Sequence, residues 1–253
     1  MKVATGQFAS TGDLAADAAT VVRAIDLARG ARVLVLPELF LGGYQLPPVV
    51  VDPADPRLAD IERAAARAGL VAFVGACVRT DAGLTIATIE FGRGTRVVYA
   101  KQNPCDEEKD HVVAGTESVL VDVDGWAFGL SICYDGCFPE HARAVAVAGA
   151  DVYLASVAYF TGSAHRRQVY YRARALENGM YAVVSGLTGQ CAGATFDGGS
   201  EVYDPEGRVI AAIDGAAGEG VAVADLDRDL VAATRARHPM LADVRTPAPV
   251  VAR

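Results

Sequence analysis

Gly129-Leu130-Ser131-Ile132-Cys133-Tyr134-Asp135 decides the fold, because an apolar run typical of a buried strand ends directly at a cysteine. Two earlier apolar runs end in the same way, one at Glu38 and the other at Lys101. In open layered sheets, ligands collect at the carboxyl ends of the strands. Three strand ends that carry Glu38, Lys101 and Cys133 therefore predict a catalytic cluster on an α/β scaffold.

Hydrophobic periodicity predicts strands that alternate with helices along the chain. The strands are expected over 3–8, 32–36, 70–76, 84–91, 95–100, 118–122, 126–132, 151–156, 181–186, 200–204, 208–213 and 219–225. The helices are expected over 13–29, 54–68, 138–149 and 163–178. No linker or repeat divides residues 1–253, so one domain is predicted. Residues 226–253 lack helix or strand periodicity and are predicted to be a disordered tail or an arm that packs on a partner subunit.

The composition narrows the class of partner. The chain has 253 residues and a net charge of −8, which argues against nucleic acid or an anionic membrane as the main partner and favours a small molecule. No signal peptide and no apolar run of about 18 residues is found, so a cytoplasmic protein is expected. The five cysteines are scattered and odd in number, which suits a reducing compartment. No metal-ligand spacing is present, and no metal or other cofactor is predicted.

Each candidate residue has an ordinary interpretation when it is taken alone. Cys133 could be a small core residue, Glu38 a cap, Lys101 an exposed cation and Glu108 part of a solvated charged loop. As a nucleophile, Cys133 could be activated by the N-terminus of the following helix, by the Lys101 cation or by Glu38 as a general base, each of which stabilises a thiolate. Glu38, enclosed by apolar residues, is expected to have a raised pKa suited to proton transfer.

Taken together, these segments resemble the nitrilase superfamily of carbon–nitrogen hydrolases across nearly the whole chain. The similarity lies in five ordered motifs: Leu36-Pro37-Glu38-Leu39-Phe40 with Gly42-Gly43-Tyr44, then Tyr99-Ala100-Lys101, then Leu130-Ser131-Ile132-Cys133-Tyr134-Asp135 with Phe138-Pro139-Glu140, then Arg172-Ala173-Arg174-Ala175-Leu176-Glu177-Asn178, and last Gly199-Ser200 ahead of Asp204-Pro205-Glu206-Gly207. Two positions depart from that pattern. Cys137 stands where many members have arginine, and Asn103 stands in a segment where many have histidine.

The resemblance implies a four-layer α-β-β-α sandwich that pairs through its helical faces into a homodimer. It also implies a catalytic triad of Glu38, Lys101 and Cys133, with Glu108 as an additional glutamate of the active site. The chemistry that it implies needs no cofactor. The implied reaction is hydrolysis of a small linear amide through a thioester on Cys133, which gives a carboxylic acid and ammonia or an amine.

Alternative activities stay open on the sequence alone. The Cys-Tyr-Asp triplet favours an amidase, since nitrile-cleaving relatives typically carry Cys-Trp-Glu, but a nitrilase, an N-carbamoyl hydrolase and a catalytically silent scaffold remain alternatives. The residues expected to contact substrate lie in the loops near the strand ends; they are Tyr44, Asn103, Tyr134, Cys137 and Tyr159, with Phe160 and Phe196 as further candidates.

Overall fold

The computed structural model describes residues 1–214 and 218–245. Its strands are β1 (Lys2–Gln7), β2 (Val33–Val35), β3 (Val71–Thr80), β4 (Gly83–Phe91), β5 (Arg96–Ala100), β6 (Leu120–Val123), β7 (Trp126–Ile132), β8 (Val152–Val157), β9 (Tyr181–Gly186), β10 (Thr188–Cys191), β11 (Ala194–Asp197), β12 (Glu201–Tyr203), β13 (Val209–Ala212) and β14 (Gly220–Asp225). Its helices are α1 (Leu14–Leu27), α2 (Ala59–Ala68), α3 (Pro139–Val147), α4 (Ala164–Asn178) and α5 (Arg228–Arg237).

Twelve of these strands form two six-stranded sheets of similar design, and β10 and β11 form a separate hairpin. The first has the order β14-β1-β2-β3-β4-β5, and the second has the order β13-β12-β9-β8-β7-β6. In each sheet the three central strands are parallel, β1 to β3 in the first and β7 to β9 in the second, and the flanking strands are antiparallel. Strands β2, β8 and β9 are buried along their whole length, as expected for strands covered on both faces.

The two sheets pack face to face, with β1 and β2 against β8 and β9. The Thr5 hydroxyl crosses this interface and donates to the Val184 carbonyl oxygen at 2.7 Å. Helices α1 and α2 cover the outer face of the first sheet, and α3 and α4 cover the outer face of the second. The layers therefore run α-β-β-α, which confirms the predicted fold class.

Helix α5 corrects the expectation that residues 226–253 are irregular. Asp227 caps the helix by accepting a hydrogen bond from the Asp229 backbone N–H, and Val231 is buried. The Arg235 guanidinium fixes the helix to its own chain by donating to the Gly179 and Ala150 carbonyl oxygens. Only one turn of apolar residues marks this short helix, so periodicity did not detect it. Residues 246–253, which include the proline-rich end, lie outside the described residues.

The hairpin β10–β11 is a second element that the sequence did not predict. Its tight turn places Ala192 and Gly193 at positive φ, 49° and 83°. A two-residue turn of this kind usually carries Asn-Gly or Asp-Gly. Because alanine occupies the first position here, the sequence does not indicate a turn.

Within residues 1–214 and 218–245, no helix combines the length and apolar character needed to cross a bilayer.

Candidate active site

Glu38 lies just beyond β2, at the carboxyl end of the parallel core of the first sheet. Its backbone packs directly against β3 at Gly75, where a Cβ would lie 2.8 Å from the Glu38 Cα and 2.4 Å from the Pro37 carbonyl oxygen. Leu39, the next residue, has a φ of 47°, which is uncommon for a side chain of this type. The chain therefore turns sharply after β2 and leaves the Glu38 carboxylate fully buried.

Lys101 directly follows β5 and lies between two buried carboxylates. Its Nζ donates to Glu38 Oε1 at 2.7 Å and to Glu108 Oε2 at 2.6 Å. All three side chains are 0–1% exposed. A buried ion pair of this kind costs desolvation energy and is weak evidence for a stabilising role, so three buried charges in contact point to chemistry instead.

Burial and the neighbouring charges set the protonation of this cluster. Burial, assisted by the Glu108 charge and opposed by Lys101, raises the pKa of Glu38 to about 7. Burial alone would lower the pKa of Lys101, but the negative charges around it outweigh that effect and hold its pKa well above the usual range. This direction agrees with the raised pKa expected for a Glu38 enclosed by apolar residues, and the raised pKa of Lys101 favours the ammonium form.

Cys133 follows β7 and begins a short 3₁₀ turn, Cys133–Cys137. Its φ of 42° is a strained conformation for a residue with a side chain, and such strain is concentrated at functional sites. The thiol lies beside the Glu38 carboxylate and lowers the pKa of that group. Among the described residues, however, Glu38 Oε2 has no partner at hydrogen-bond distance. This oxygen is therefore free to accept a proton.

The surroundings of Cys133 stabilise the neutral thiol. Burial and the Glu38 charge raise its pKa well above 9.0, and Lys101 only partly opposes them. Desolvation therefore outweighs the attraction of the single cation. With a relative exposure of 9%, Cys133 is nevertheless the most accessible member of its cluster with Glu38, Lys101 and Glu108. A nucleophile in this position needs a base at the moment of attack.

Glu108 is fixed on three sides. In addition to Lys101, it accepts hydrogen bonds from the Tyr44 hydroxyl at 2.8 Å and from the Cys105 backbone N–H at 2.8 Å. The flanking residues Asp106 and Glu107 are exposed. The sequence run 105–111 is thus a charged surface segment, as its composition indicates, but Asp106–Asp110 form a 3₁₀ turn in which one carboxylate points inward to the cluster.

Helix α4 holds the turn that carries Cys133. The Tyr171 hydroxyl donates to the Cys133 carbonyl oxygen at 2.9 Å. The Arg174 guanidinium donates to the carbonyl oxygens of Gly136 at 3.0 Å and Cys137 at 3.1 Å. Neither residue was predicted to support the site, although Arg174 belongs to a motif quoted above, because their contacts join segments almost 40 residues apart.

The residues expected to contact substrate are placed differently from one another. Tyr44 packs edge-on against Phe160, with ring centroids 5.7 Å apart, and contacts Phe196 at 5.4 Å. Tyr134 is exposed and packs on Phe138, whereas the Tyr159 hydroxyl lies 3.8 Å from Cys137 Sγ. The Asn103 side-chain nitrogen donates to Asp135, a buried carboxylate, at 2.9 Å, so it is already engaged within the protein.

A cavity of about 230 Å³ adjoins the cluster. Its wall is formed by Tyr44, Leu46, Cys105, Phe160 and the acidic residues 106–108. This volume is below the range of about 300–1,000 Å³ typical of drug-sized ligands, so it suits a small molecule. The described residues contain no group of three or more His, Cys, Asp or Glu side chains that could hold a metal ion.

Comparison with known proteins identifies similar chains with related chemistry. A family model described as carbon–nitrogen hydrolase matches residues 2–236. The chain is 30% identical to an (R)-stereoselective amidase from Pseudomonas sp over 255 residues, which cover 97% of this chain and 92% of the relative. It is 29% identical to a 2-oxoglutaramate amidase from Bacillus subtilis over 223 residues, 85% of each chain.

A solved structure of an amidase from Nesterenkonia sp. AN1, a double mutant in complex with acrylamide, has a TM-score of 0.84 to this chain. The two sequences are 25% identical, and the match covers 97% of this chain and 94% of the amidase. Another mutant of the same amidase shows the result of Michael addition of acrylamide at the active-site cysteine.

Proposed function

This chain belongs to the carbon–nitrogen hydrolase family, and from that premise we propose that it hydrolyses a small linear amide through a thioester on Cys133. The products are a carboxylic acid and ammonia or an amine. The observation that carries the proposal is the Lys101 ammonium bridging Glu38 and Glu108, with the Cys133 thiol beside Glu38. The family membership makes the chain a hydrolase, while the substrate and the roles below are the proposal.

In the first half-reaction, Glu38 takes the thiol proton through its unpaired Oε2 as Cys133 Sγ attacks the amide carbonyl carbon. The carbonyl π electrons move onto the oxygen. Lys101 Nζ and the Tyr134 backbone N–H stabilise this oxyanion, since the first N–H groups of a helical turn have no partner within the turn. When the C–N bond breaks, protonated Glu38 gives its proton to the departing nitrogen. A thioester remains on Cys133.

In the second half-reaction, Glu38 is again a carboxylate and removes a proton from water. The water oxygen attacks the thioester carbon, and the C–S bond breaks to release the acid. The proton on Glu38 returns to the Cys133 sulfur. A carboxyl group with a pKa of about 7 suits both steps, because it exchanges a proton readily in either direction near neutral pH.

Glu108 acts by charge and position. Its Oε2 accepts a hydrogen bond from Lys101 in addition to the one that Glu38 accepts, and its Oε1 accepts from the Tyr44 hydroxyl. The ammonium is therefore kept in place even while Glu38 is neutral during turnover. Preorganised charge of this kind needs no rearrangement at the moment of reaction.

An amide is preferred to a nitrile for a physical reason. Attack on an amide creates an oxyanion that the Lys101 and Tyr134 donors stabilise, whereas attack on a nitrile creates a nitrogen that needs a proton. The amidases named above, at about 30% identity, support the amide, and the acrylamide adduct of the Nesterenkonia amidase supports a thiol nucleophile.

The test is to offer the purified protein matched amide, nitrile and N-carbamoyl compounds and to measure ammonia and acid together. We expect the amides to be hydrolysed fastest, with equal amounts of ammonia and acid, and we expect no turnover by Cys133→Ala. Faster nitrile hydrolysis across the panel would overturn the assignment. Absence of any acyl adduct on Cys133 would indicate a silent scaffold.

We further propose a homodimer formed through the outer face of α3 and α4. Three apolar side chains on these helices are well exposed: Val147 at 61%, Val169 at 64% and Leu176 at 46%. Large apolar side chains in such a position favour burial against a second copy. Light scattering at micromolar concentration should give twice the chain mass, and an active particle of 26.3 kDa would contradict it.

A further inference from the structure

Asp135 is a fully buried carboxylate that forms no ion pair with any described residue. Four hydrogen bonds satisfy it instead. Its Oδ1 accepts from the Asn103 backbone N–H at 2.8 Å and from the Asn103 side chain at 2.9 Å. Its Oδ2 accepts from the Tyr99 hydroxyl at 2.7 Å and from the Ile132 backbone N–H at 3.0 Å. A buried charge satisfied only by neutral donors is costly, so its retention calls for an explanation.

The four donors come from two separate parts of the chain. Ile132 directly precedes Cys133, at the end of β7 in the second sheet. Tyr99 and Asn103 lie two residues before and two residues after Lys101, at the end of β5 in the first sheet. A single carboxylate therefore joins the strand end that carries the nucleophile to the strand end that carries the cation.

We propose that Asp135 is a positioning residue that fixes the Cys133 thiol relative to the Lys101 ammonium. The inference rests on the proposed function, because it gives Asp135 a role in amide hydrolysis. Asparagine cannot replace it: the amide has one accepting oxygen, so its NH₂ group would face the backbone N–H of either Ile132 or Asn103.

A second layer of hydrogen bonds orients the Tyr99 hydroxyl. The Tyr99 oxygen lies 2.8 Å from His141 Nε2, and His141 Nδ1 lies 2.8 Å from the Tyr153 hydroxyl. The Gln102 side-chain nitrogen also lies 3.2 Å from His141 Nε2. The imidazole therefore packs among three polar groups behind the Tyr99 hydroxyl. Burial, opposed by the Asp135 charge, lowers the pKa of His141, which favours the neutral imidazole.

The test compares Asp135→Asn with a matched control. Asp204 is also buried, and its Oδ1 accepts from the Glu206 and Arg208 backbone N–H groups at 2.9 and 2.8 Å, but none of its bonds reaches the cluster. Asp135→Asn should lower kcat by a factor of about 10², as expected for misplaced reacting groups, with KM changed by less than about threefold. Asp204→Asn should lower the melting temperature without lowering kcat.

The pH profile separates positioning from simple loss of stability. The Lys101 charge lowers the pKa of Glu38, while burial and the Glu108 charge raise it, and the Cys133 thiol lies beside it. If Lys101 moves away in Asp135→Asn, the pKa of Glu38 rises. The acid limb of the pH profile, where kcat/KM increases with pH, then moves to higher pH. Asp204→Asn should leave the midpoint of this acid limb at the pH found for the unsubstituted protein. A soluble Asp135→Asn protein with unchanged kcat and an unchanged acid limb would overturn the proposal.

Two further measurements keep the test decisive. If Asp135→Asn does not fold, Tyr99→Phe removes one of the four hydrogen bonds to Asp135 and should lower kcat about tenfold. Unchanged kcat in this variant would overturn the proposal.

If the natural protein hydrolyses no amide, the proposed function fails, but the rate at which iodoacetamide alkylates Cys133 still reports on the geometry. That rate should fall in Asp135→Asn and in Tyr99→Phe but not in Asp204→Asn, and equal rates in all three would refute the role of Asp135.

Discussion

The Cα atom of Glu38 lies so close to Gly75 that a Cβ added to the glycine would be 2.8 Å from it. The same Cβ would be 2.4 Å from the Pro37 carbonyl oxygen and 2.7 Å from the Leu39 nitrogen. All three atoms belong to backbone and cannot rotate away. The position of the candidate general base is thus set by the absence of a side chain on the neighbouring strand.

Gly75→Ala is therefore expected to damage both stability and activity. The overlap should lower the free energy of unfolding by about 1–3 kcal/mol, the range for an overpacked core. Displacement of Glu38 from Lys101 should lower kcat by a factor of about 10² in the protein that still folds. Thermal unfolding and steady-state kinetics measure the two effects. Gly220→Ala is the control, because Gly220 is also in a strand but an added Cβ meets nothing within 4 Å.

The acid limb of the pH profile should report on Glu38. Its pKa is raised from 4.5 to about 7, and the base must be ionised to accept the thiol proton. We therefore expect kcat/KM to rise with pH, with a midpoint of about 7, and to level off above it. The value belongs to the coupled cluster of Glu38, Lys101, Glu108 and Cys133 rather than to one group alone. A midpoint near the ordinary pKa of a glutamate would contradict the raised pKa of Glu38.

Lys101→Met should lower turnover by a factor of about 10² or more, because the oxyanion loses a donor that carries a full charge. Glu38→Gln should have at least as large an effect, since the amide cannot accept the thiol proton. Both variants leave Glu108 buried with altered neighbours, so circular dichroism must show that each is folded. A near-normal rate in either folded variant would mean that the roles of these residues are wrongly assigned.

The sequence predicted the sheets and the cluster because both depend on local signals. Continuous apolar runs mark the buried parallel strands that lead to Glu38 and Cys133, and a shorter apolar run marks the antiparallel edge strand that leads to Lys101. The sequence predicts no role for Asp135, the last residue of the segment 129–135, because its hydrogen-bond partners Tyr99 and Asn103 lie more than 30 residues away along the chain. The prediction for Glu108 depends on the family resemblance alone, because the acidic sequence 106–108 does not indicate which of its carboxylates is buried.

The five free cysteines differ in burial and should differ in their reactivity toward iodoacetamide. Burial raises the pKa of Cys133 well above 9.0, and it raises that of Cys105 to about 12 and that of Cys77 to about 11. None of these three is a resting thiolate at neutral pH, so a simple thiolate argument predicts slow alkylation at all of them. Cys105 and Cys137 are more exposed than Cys133, so accessibility alone predicts that one of these two reacts first.

We expect the opposite order, with Cys133 alkylated first, because its thiol lies beside Glu38, whose Oε2 has no hydrogen-bond partner among the described residues and can take the proton. Limiting iodoacetamide followed by peptide mass mapping should show modification of Cys133 before Cys77, Cys105, Cys137 or Cys191, with activity lost in step. Glu38→Gln provides the control, since it removes the base and should abolish the preference. Earlier modification of Cys105 or Cys137, or selectivity that survives Glu38→Gln, would show that Glu38 does not activate the thiol.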